Sequence, residues 1–358
     1  MSERFKEAML QEKLPESRVR CHICQWRCRI GPGGFGVCRM YQNQDGTLFN
    51  LNYARASSVN VDPIEKKPLF HFYPGSLAFS IGSWGCNFHC LDCQNWSISC
   101  PTDTPEFLDS QLIEPKDAVR LAKVYNCQGI AWTYNEPTMW FEYTLDSAKL
   151  ARKEGLYTAY VTNGFMTPEA LDVIGPHLKA WRVDVKGFTD EFYMKMARIR
   201  NWRGILEVAK RAKEKWSMHV EVVTNIVPGW NDDVQLSGIA HWIAHDLGEM
   251  TPWHVTRFYP QYQLQNVPPT PVATIKHAVD IGHKAGLKFV YPGNIPGLAG
   301  ESTTCCACGA PVVERVGYDT KVVGLKGSAC ALCGTDLNFR TLGEEAKTKR
   351  SAAKETKQ

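Results

Sequence analysis

From residue 77 onward, short uninterrupted apolar runs alternate with longer stretches whose apolar residues recur every three or four positions. A continuous apolar run suits a strand buried on both faces, and the three-to-four recurrence suits an amphipathic helix. The pattern predicts strands at 77–81, 129–133, 156–162, 180–185, 219–227, 254–259 and 287–291. It predicts helices at 115–125, 138–152, 168–174, 203–215, 234–247 and 271–285. Two helices open on Thr-Pro, at Thr167-Pro168 and Thr270-Pro271, a threonine cap followed by a proline whose fixed φ suits the first turn. Strands alternating with helices imply a parallel sheet with crossover helices. Six or seven such units in about 220 residues fit a partial or full (β/α) barrel of the TIM type better than an open doubly wound sheet. Both architectures carry their ligand site at the C-terminal ends of the strands. Cys86, Glu136, Asn163 and Lys186 follow the first four predicted strands.

The flanks follow other rules. Residues 1–75 are loop-rich, with Gly31, Pro32, Gly33, Gly34 and Gly36 among cysteines, and 1–18 is a charged, helix-prone stretch. From Thr303 short β segments alternate with cysteine pairs. The expected organisation is an N-terminal cysteine-rich segment 1–75, a barrel 76–300, a zinc-ribbon-like or rubredoxin-like unit 301–342 and a disordered charged tail 343–358.

Cysteine is the residue that changes this picture. No apolar signal core opens the chain and no run approaches the ~18 apolar residues of a membrane span, so the chain is expected in the cytoplasm. Disulfides are disfavoured there, yet the chain has 14 cysteines. They fall into three sets: Cys21, Cys24, Cys28 and Cys38; then Cys86, Cys90 and Cys93; then Cys305, Cys308, Cys330 and Cys333. Close repeated spacings bring thiolates together on one loop, which suits a metal or cluster. Cys100, Cys127 and Cys306 are left over and read as small hydrophobes.

The middle set, Cys86-x3-Cys90-x2-Cys93, supplies three thiolates to a four-iron cubane and leaves one iron without a protein ligand. An open iron can chelate the amino and carboxylate groups of S-adenosylmethionine (SAM), where a reduced cluster can cleave the sulfonium to a 5′-deoxyadenosyl radical. The competing reading is a zinc site completed by His89, but a three-residue gap is unusual in zinc knuckles. The C-terminal pairs are each followed by glycine, Gly309 and Gly334, and read as a four-thiolate zinc ribbon. The N-terminal set fits zinc and an auxiliary iron–sulfur cluster equally.

Many segments in one order resemble the radical SAM protein of the AmmeMemoRadiSam system, a branch close to pyruvate formate-lyase activating enzymes. They include Val61–Phe70, the Cys86 loop, Thr133-Tyr134-Asn135-Glu136-Pro137, Val161–Pro168, Asp184-Val185-Lys186, Pro252-Trp253-His254 and Tyr291–Asn294. Asp92 departs from the resemblance, since that position is usually aromatic. The resemblance implies a [4Fe–4S] cluster on Cys86, Cys90 and Cys93, with SAM contacts from Tyr134, Asn135, Glu136, Thr162, Asn163, Asp184, Lys186 and His254. Glu136 would accept from the methionine ammonium, Lys186 would neutralise its carboxylate, and Asp184 or Asn163 would take ribose hydroxyls. Simpler roles compete: Glu136 as a helix N-terminal carboxylate, Asp184–Lys186 as an ion pair, and His254 as a satisfied core histidine. The implied function is reductive SAM cleavage and hydrogen abstraction from a substrate. The alternatives are activation of a glycyl-radical enzyme and plain electron transfer. Implied partners are a flavodoxin or ferredoxin donor and Memo-like and Ammecr-like proteins.

Charge adds only exclusions. The formal charge is +4, and residues 344–358, with five Lys/Arg against three Glu, supply half of it. The body is therefore close to neutral, which offers no surface for nucleic acid or membrane. A nucleic-acid-binding ribbon is disfavoured, because 310–329 holds only Arg315, Lys321 and Lys326 as basic residues.

Overall fold

All seven apolar runs form parallel strands, and one earlier strand joins them. In the computed structural model, which describes residues 5–342 except 104, 106, 107, 296, 298 and 299, the main sheet has eight strands. They are β1 Ser58–Pro63, β2 Leu77–Gly82, β3 Gly129–Trp132 and β4 Tyr157–Thr162. β5 Ala180–Asp184, β6 His219–Ile226, β7 Trp253–Arg257 and β8 Val290–Gly293 follow. Every strand lies beside its sequence neighbour; β1 runs antiparallel to β2 and all later pairs are parallel. Between them run α1 Pro115–Val124, α2 Phe141–Lys153, α3 Pro168–Ile174, α4 Arg203–Glu214, α5 Asp233–Trp242 and α6 Val272–Lys284. Among the described residues the end strands β1 and β8 do not pair. Residues at or just beyond the C-terminal ends of β2 to β8 all line one cavity, so the sheet is curled and open on one side. No helix among the described residues is long and apolar enough to cross a membrane.

Several expectations change. β1 falls inside the segment 1–75, whose remainder forms short antiparallel sheets rather than loops alone. The helix-prone start instead makes strands Lys6–Glu7, Gln11–Leu14 and Arg18–Cys21, the last two paired around a turn where Glu16 and Ser17 have φ of 59° and 52°. That left-handed turn breaks the helical run, and strand pairing outweighs propensity. Thr167 caps α3, accepting from Ala170 N at 3.1 Å, but Thr270 does not cap α6. Its hydroxyl donates to Ile226 O and accepts from Phe258 N, tying the entry of α6 to the ends of β6 and β7. β8 begins later than expected because Leu287 N still bonds Gly282 O at the end of α6. The tail 343–358 lies outside the described residues.

The base of the curled sheet is plugged by Phe70, His71, Phe72 and Tyr73. Ala78, Ala131, Ala159 and Ala180 on four adjacent strands leave room for Phe72 and Tyr73 in one buried cluster. The plug is anchored on Glu221 of β6. Its carboxylate accepts from the amides of Phe70 and His71 at 3.0 and 2.8 Å and from His219 and His254 at 2.9 and 2.7 Å. Four donors satisfy a fully buried carboxylate that would otherwise be costly.

His71 stacks on Phe339, and its ring nitrogens pair with Leu337 O and Tyr291 Oη at 2.9 and 2.7 Å. Burial is the main cause that pushes its pKa down to about 3. A depressed histidine leaves the unfolded chain binding more protons, so stability present above the unfolded pKa of 6.5 is lost as pH falls from there toward 3. Moving from pH 7 to pH 5 should cost about 2 kcal/mol from this residue. Denaturant unfolding at the two pH values checks it, with His71→Gln expected to shrink the difference by that amount.

Candidate active site and cysteine centres

β2 ends at Gly82 and the chain turns through Gly85, whose φ is +80°. A Cβ at Gly85 would lie 2.5 Å from Met40 Cγ and 3.1 Å from Cys38 O, so only glycine lets this loop rest against the N-terminal sheets. Asn135 holds the loop from β3: its Oδ1 accepts from Ser83 N at 3.0 Å, and its Nδ2 donates to Ser83 Oγ and Gly85 O at 3.2 and 2.8 Å. Trp26 Nε1 donates to Asn87 O at 2.8 Å, and the amides of His89 and Leu91 donate to Ala197 O and Met196 O. Pinned in this way, Cys86, Cys90 and Cys93 open into a cavity of about 1220 Å³. His89 does not line it. Burial is the main cause that raises all three thiol pKa values, and neighbouring cysteines of the set add to it at Cys86 and Cys90. Three soft ligands on one buried loop, facing a cavity rather than closing a tetrahedron, fit a cluster that keeps one face free.

The eight strand-end residues of the sequence analysis line the same cavity. Their side chains are not equally free. Glu136 Oε1 accepts from Thr138 N, Thr138 Oγ1 and Thr162 Oγ1 at 3.0, 2.5 and 2.8 Å, and Oε2 accepts from Asn163 N at 2.7 Å. It therefore does cap the turn that leads into α2, and only Oε2 keeps capacity for another donor. Burial raises its pKa despite those bonds, and a cation brought against Oε2 would favour the charged form. Asn163 Nδ2 donates to Asn87 Oδ1 at 2.7 Å and points at Cys86 Sγ at 3.6 Å, so it steadies the cysteine loop. Tyr134, at φ 76°, donates its hydroxyl to Asp62 at 2.6 Å. His254 is the satisfied core histidine, bonded to Glu221 and packed on Phe70 and Tyr291.

Asp184 accepts from Arg182 at 2.7 Å, and Lys186 Nζ stands 3.7 Å from its other oxygen. Burial alone would lower the Lys186 pKa, but Asp184, Cys90, Asp92 and Cys93 outweigh it and hold the ammonium above its ordinary value. Lys186 is thus a partly buried cation beside Asp184, at the edge of the cysteine loop.

The C-terminal set is closed. Cys305 and Cys333 sulfurs lie 3.5 Å apart, Cys308 and Cys330 sulfurs 3.8 Å apart, and all four fall within 4.8 Å of one another. A tetrahedral site with ~2.3 Å metal–sulfur bonds has edges of about 3.8 Å. The two knuckles match: Gly309 N bonds Cys305 O, Gly334 N bonds Cys330 O, and both glycines have positive φ. The unit is not coreless, for Val312 and Val313 join Phe70, Phe289, Tyr291, Leu337 and Phe339 in one buried cluster, whereas Val322 and Val323 are exposed. Cys306 is exposed rather than packed. The N-terminal thiols also neighbour one another. Burial chiefly raises Cys24, and Cys21, Cys38 and Cys28 raise it further. That unit docks beside the cysteine loop, with Gln25 N bonding Phe165 O at 3.0 Å.

The family model of the radical SAM superfamily matches residues 81–236, from the end of β2 into α5. An uncharacterised protein of Methanocaldococcus jannaschii is 41% identical over 338 residues, 94% of this chain and 99% of that one. The chain belongs to the radical SAM superfamily. Pyruvate formate-lyase 1-activating enzyme of Escherichia coli K12 is 25% identical over 222 residues, 58% of this chain and 89% of its own length. Among solved structures, a radical SAM methyltransferase from Sphaerobacter thermophilus aligns with a TM-score of 0.48 at 14% identity, over 64% of this chain and 71% of that one. Family membership implies a [4Fe–4S] cluster and SAM.

This radical SAM protein has cavity residues that sequence reasoning missed. Lys66 and Lys67 line the cavity and pair with Asp62 behind them at 2.9 and 2.6 Å, and burial is the main cause that lowers the Lys67 pKa to about 8. Asp92, buried at the departing position, accepts from Asn225 at 3.3 Å. Arg182 and Arg315 complete the wall. Only the run Val61–Phe70 carried any signal for the first of these, as a matching segment without an assigned role.

Proposed function

We propose that the protein uses a [4Fe–4S] cluster on Cys86, Cys90 and Cys93 to cleave SAM reductively and to abstract hydrogen from a substrate in the same cavity. The observation that carries this is the shared cavity itself: three cysteines of one loop and the strand-end polar residues open into about 1220 Å³. That exceeds the ~300–1,000 Å³ of an ordinary small-molecule site and leaves room for cofactor and substrate together. When bound, the cluster and SAM would supply the electron and the radical. The chain's own part is to orient and to exclude water. Glu136 Oε2 offers one acceptor to an ammonium, Lys186 offers its donors to a carboxylate, and Asn135 and Asn163 fix the cysteine loop.

In this reading the C-terminal cysteines hold zinc. The N-terminal set, which among the described residues is not drawn to single-ion spacing, holds an auxiliary iron–sulfur centre behind Gly85. The partial barrel belongs to the AmmeMemoRadiSam branch, acts in the cytoplasm, and draws electrons from a flavodoxin or ferredoxin, with Memo-like and Ammecr-like partners. Similarity to the Escherichia coli activating enzyme favours a second reading, hydrogen abstraction from a glycine of a partner protein.

Anaerobic incubation with dithionite and SAM tests the proposal. Formation of 5′-deoxyadenosine is expected; none would leave an electron carrier. A glycyl-radical protein encoded beside this gene would favour the second reading. Lys186→Ala should weaken SAM binding by ten- to a hundred-fold, the ~1.5–3 kcal/mol of one charge-assisted bond, without loss of cluster iron. Glu136→Gln should do the same, although it also puts an amide against the Asn163 N–H. Unchanged SAM affinity in both variants would return these residues to structural roles.

A further inference from the structure

The C-terminal unit reaches into the cavity. Its strand β9, Pro311–Val316, ends in a hairpin turn, and Arg315, Val316, Gly317 and Tyr318 join the lining. Arg315 is only 6% exposed. Its Nη1 donates to Glu301 O and Thr303 Oγ1 at 2.9 and 2.8 Å and its Nη2 to Phe70 O at 2.6 Å, while Nε is buried without a partner. The guanidinium carbon lies 4.3 Å from the centroid of the Phe70 ring. None of these acceptors is a carboxylate. The acidic groups that act on it have other circumstances: Glu65 and Glu301 are pushed by burial toward their neutral forms, and Glu221 already has four donors.

Arg182 of β5 is the companion. It is 9% exposed, gives Nη1 to Asp184, and also has a buried Nε without a partner. Arg182 lies in register with Glu221, which holds His254, and Arg315 stacks on Phe70, which packs on His254, so the two arginines flank the same stretch of wall. Lys67 lines the same cavity. Among the described residues Asp184 is the one carboxylate within ion-pair distance of either guanidinium, so Arg315 is held out of water with no carboxylate partner, which is unfavourable.

We propose that Arg315 and Arg182 bind an anionic group of the substrate, a carboxylate or a phosphate. This rests on the radical SAM reading for the word substrate, and it gives the cysteine-closed unit a direct part in substrate selection. Guanidinium forks bind such oxyanions through paired charge-assisted bonds. A backbone glycine in a partner protein carries no such group, so the inference favours a small anionic substrate over the activating reading.

The test uses the full chain purified anaerobically, with inorganic phosphate and malonate as probes. At least one anion should raise the melting temperature of the wild type. Arg315→Gln should weaken that anion's apparent affinity by at least ten-fold, and Arg315→Lys should recover part of the loss. The preferred probe tells phosphate from carboxylate. No stabilisation of the wild type, or equal stabilisation of wild type and Arg315→Gln, overturns the proposal. If Arg315→Gln does not fold, wild-type crystals grown with malonate decide: an anion against Arg315 and Arg182 supports it, and its absence there overturns it. Neither measurement needs SAM. Anion binding without SAM cleavage would therefore fault the radical reading alone, and cleavage without anion binding would fault this inference alone.

Discussion

Alanine at Cys86, Cys90 and Cys93 together should leave a folded chain that forms no 5′-deoxyadenosine. The loop that carries these cysteines is held by groups other than the thiols: Asn135 on Ser83 and Gly85, Trp26 on Asn87, and the amides of His89 and Leu91 on Ala197 and Met196. Losing a partly or fully buried thiol therefore costs only ~1–2 kcal/mol per site through lost packing. The chemical loss is total, because no other thiol set lines the cavity. Iron and sulfide analysis should show the cubane's four irons missing, while circular dichroism stays that of the wild type. Single substitutions should lose the same activity, since a cubane on two protein ligands gives up a second iron to solvent. A triple variant that still cleaved SAM would end the assignment of these residues.

Legibility in the sequence followed burial. Strands such as Gly129–Trp132, buried along their whole length, read directly as apolar runs, and their order gave the parallel sheet. β1 did not read that way, because Asn60, Asp62 and Pro63 interrupt its apolar residues and its burial does not alternate: Asn60 and Val61 are exposed while Asp62 is buried. The N-terminal sheets were hidden for a related reason: short paired strands of charged residues carry no hydrophobic period, and Glu142 holds that unit through Tyr41, Asn50 and Met9, far apart in sequence.

At the site, the cysteines and strand ends were legible because chemistry and position coincide there. The division of labour among them was not. Asn163 and Asn135 serve the loop, and His254 serves Glu221, as seen only once donors and acceptors are paired in space. Arg315 was least legible of all. In sequence it is one of three basic residues in a ribbon, and only docking of β9 against Phe70 turns it toward the cavity.

That docking sets the expected result at the C-terminal cysteines. Cys305→Ser or Cys330→Ser should remove one equivalent of zinc and destabilise more than the ribbon. Metal binding at a closed thiolate site is folding energy, and losing even part of its ~10–16 kcal/mol should lower stability by about 5 kcal/mol, roughly 10 °C in melting temperature. The loss spreads because Arg340 pairs with His71 and Tyr73 through the backbone, and Phe339 and Leu337 share a buried cluster with Phe70. When the unit loosens, the plug that rests on Glu221 loses its cover, and Arg315 leaves the cavity wall. The cysteine loop after β2 lies beyond this chain of contacts, tied instead to the N-terminal sheets and to Asn135. The folded fraction of each variant should therefore keep its cluster iron and lose stabilisation by phosphate or malonate. Elemental analysis, thermal unfolding and anion titration of the full-length variants measure the three effects. Iron in place of zinc at these four thiols, together with slower reduction of the cluster at Cys86 in the variants, would make the unit an electron relay and refute its structural role.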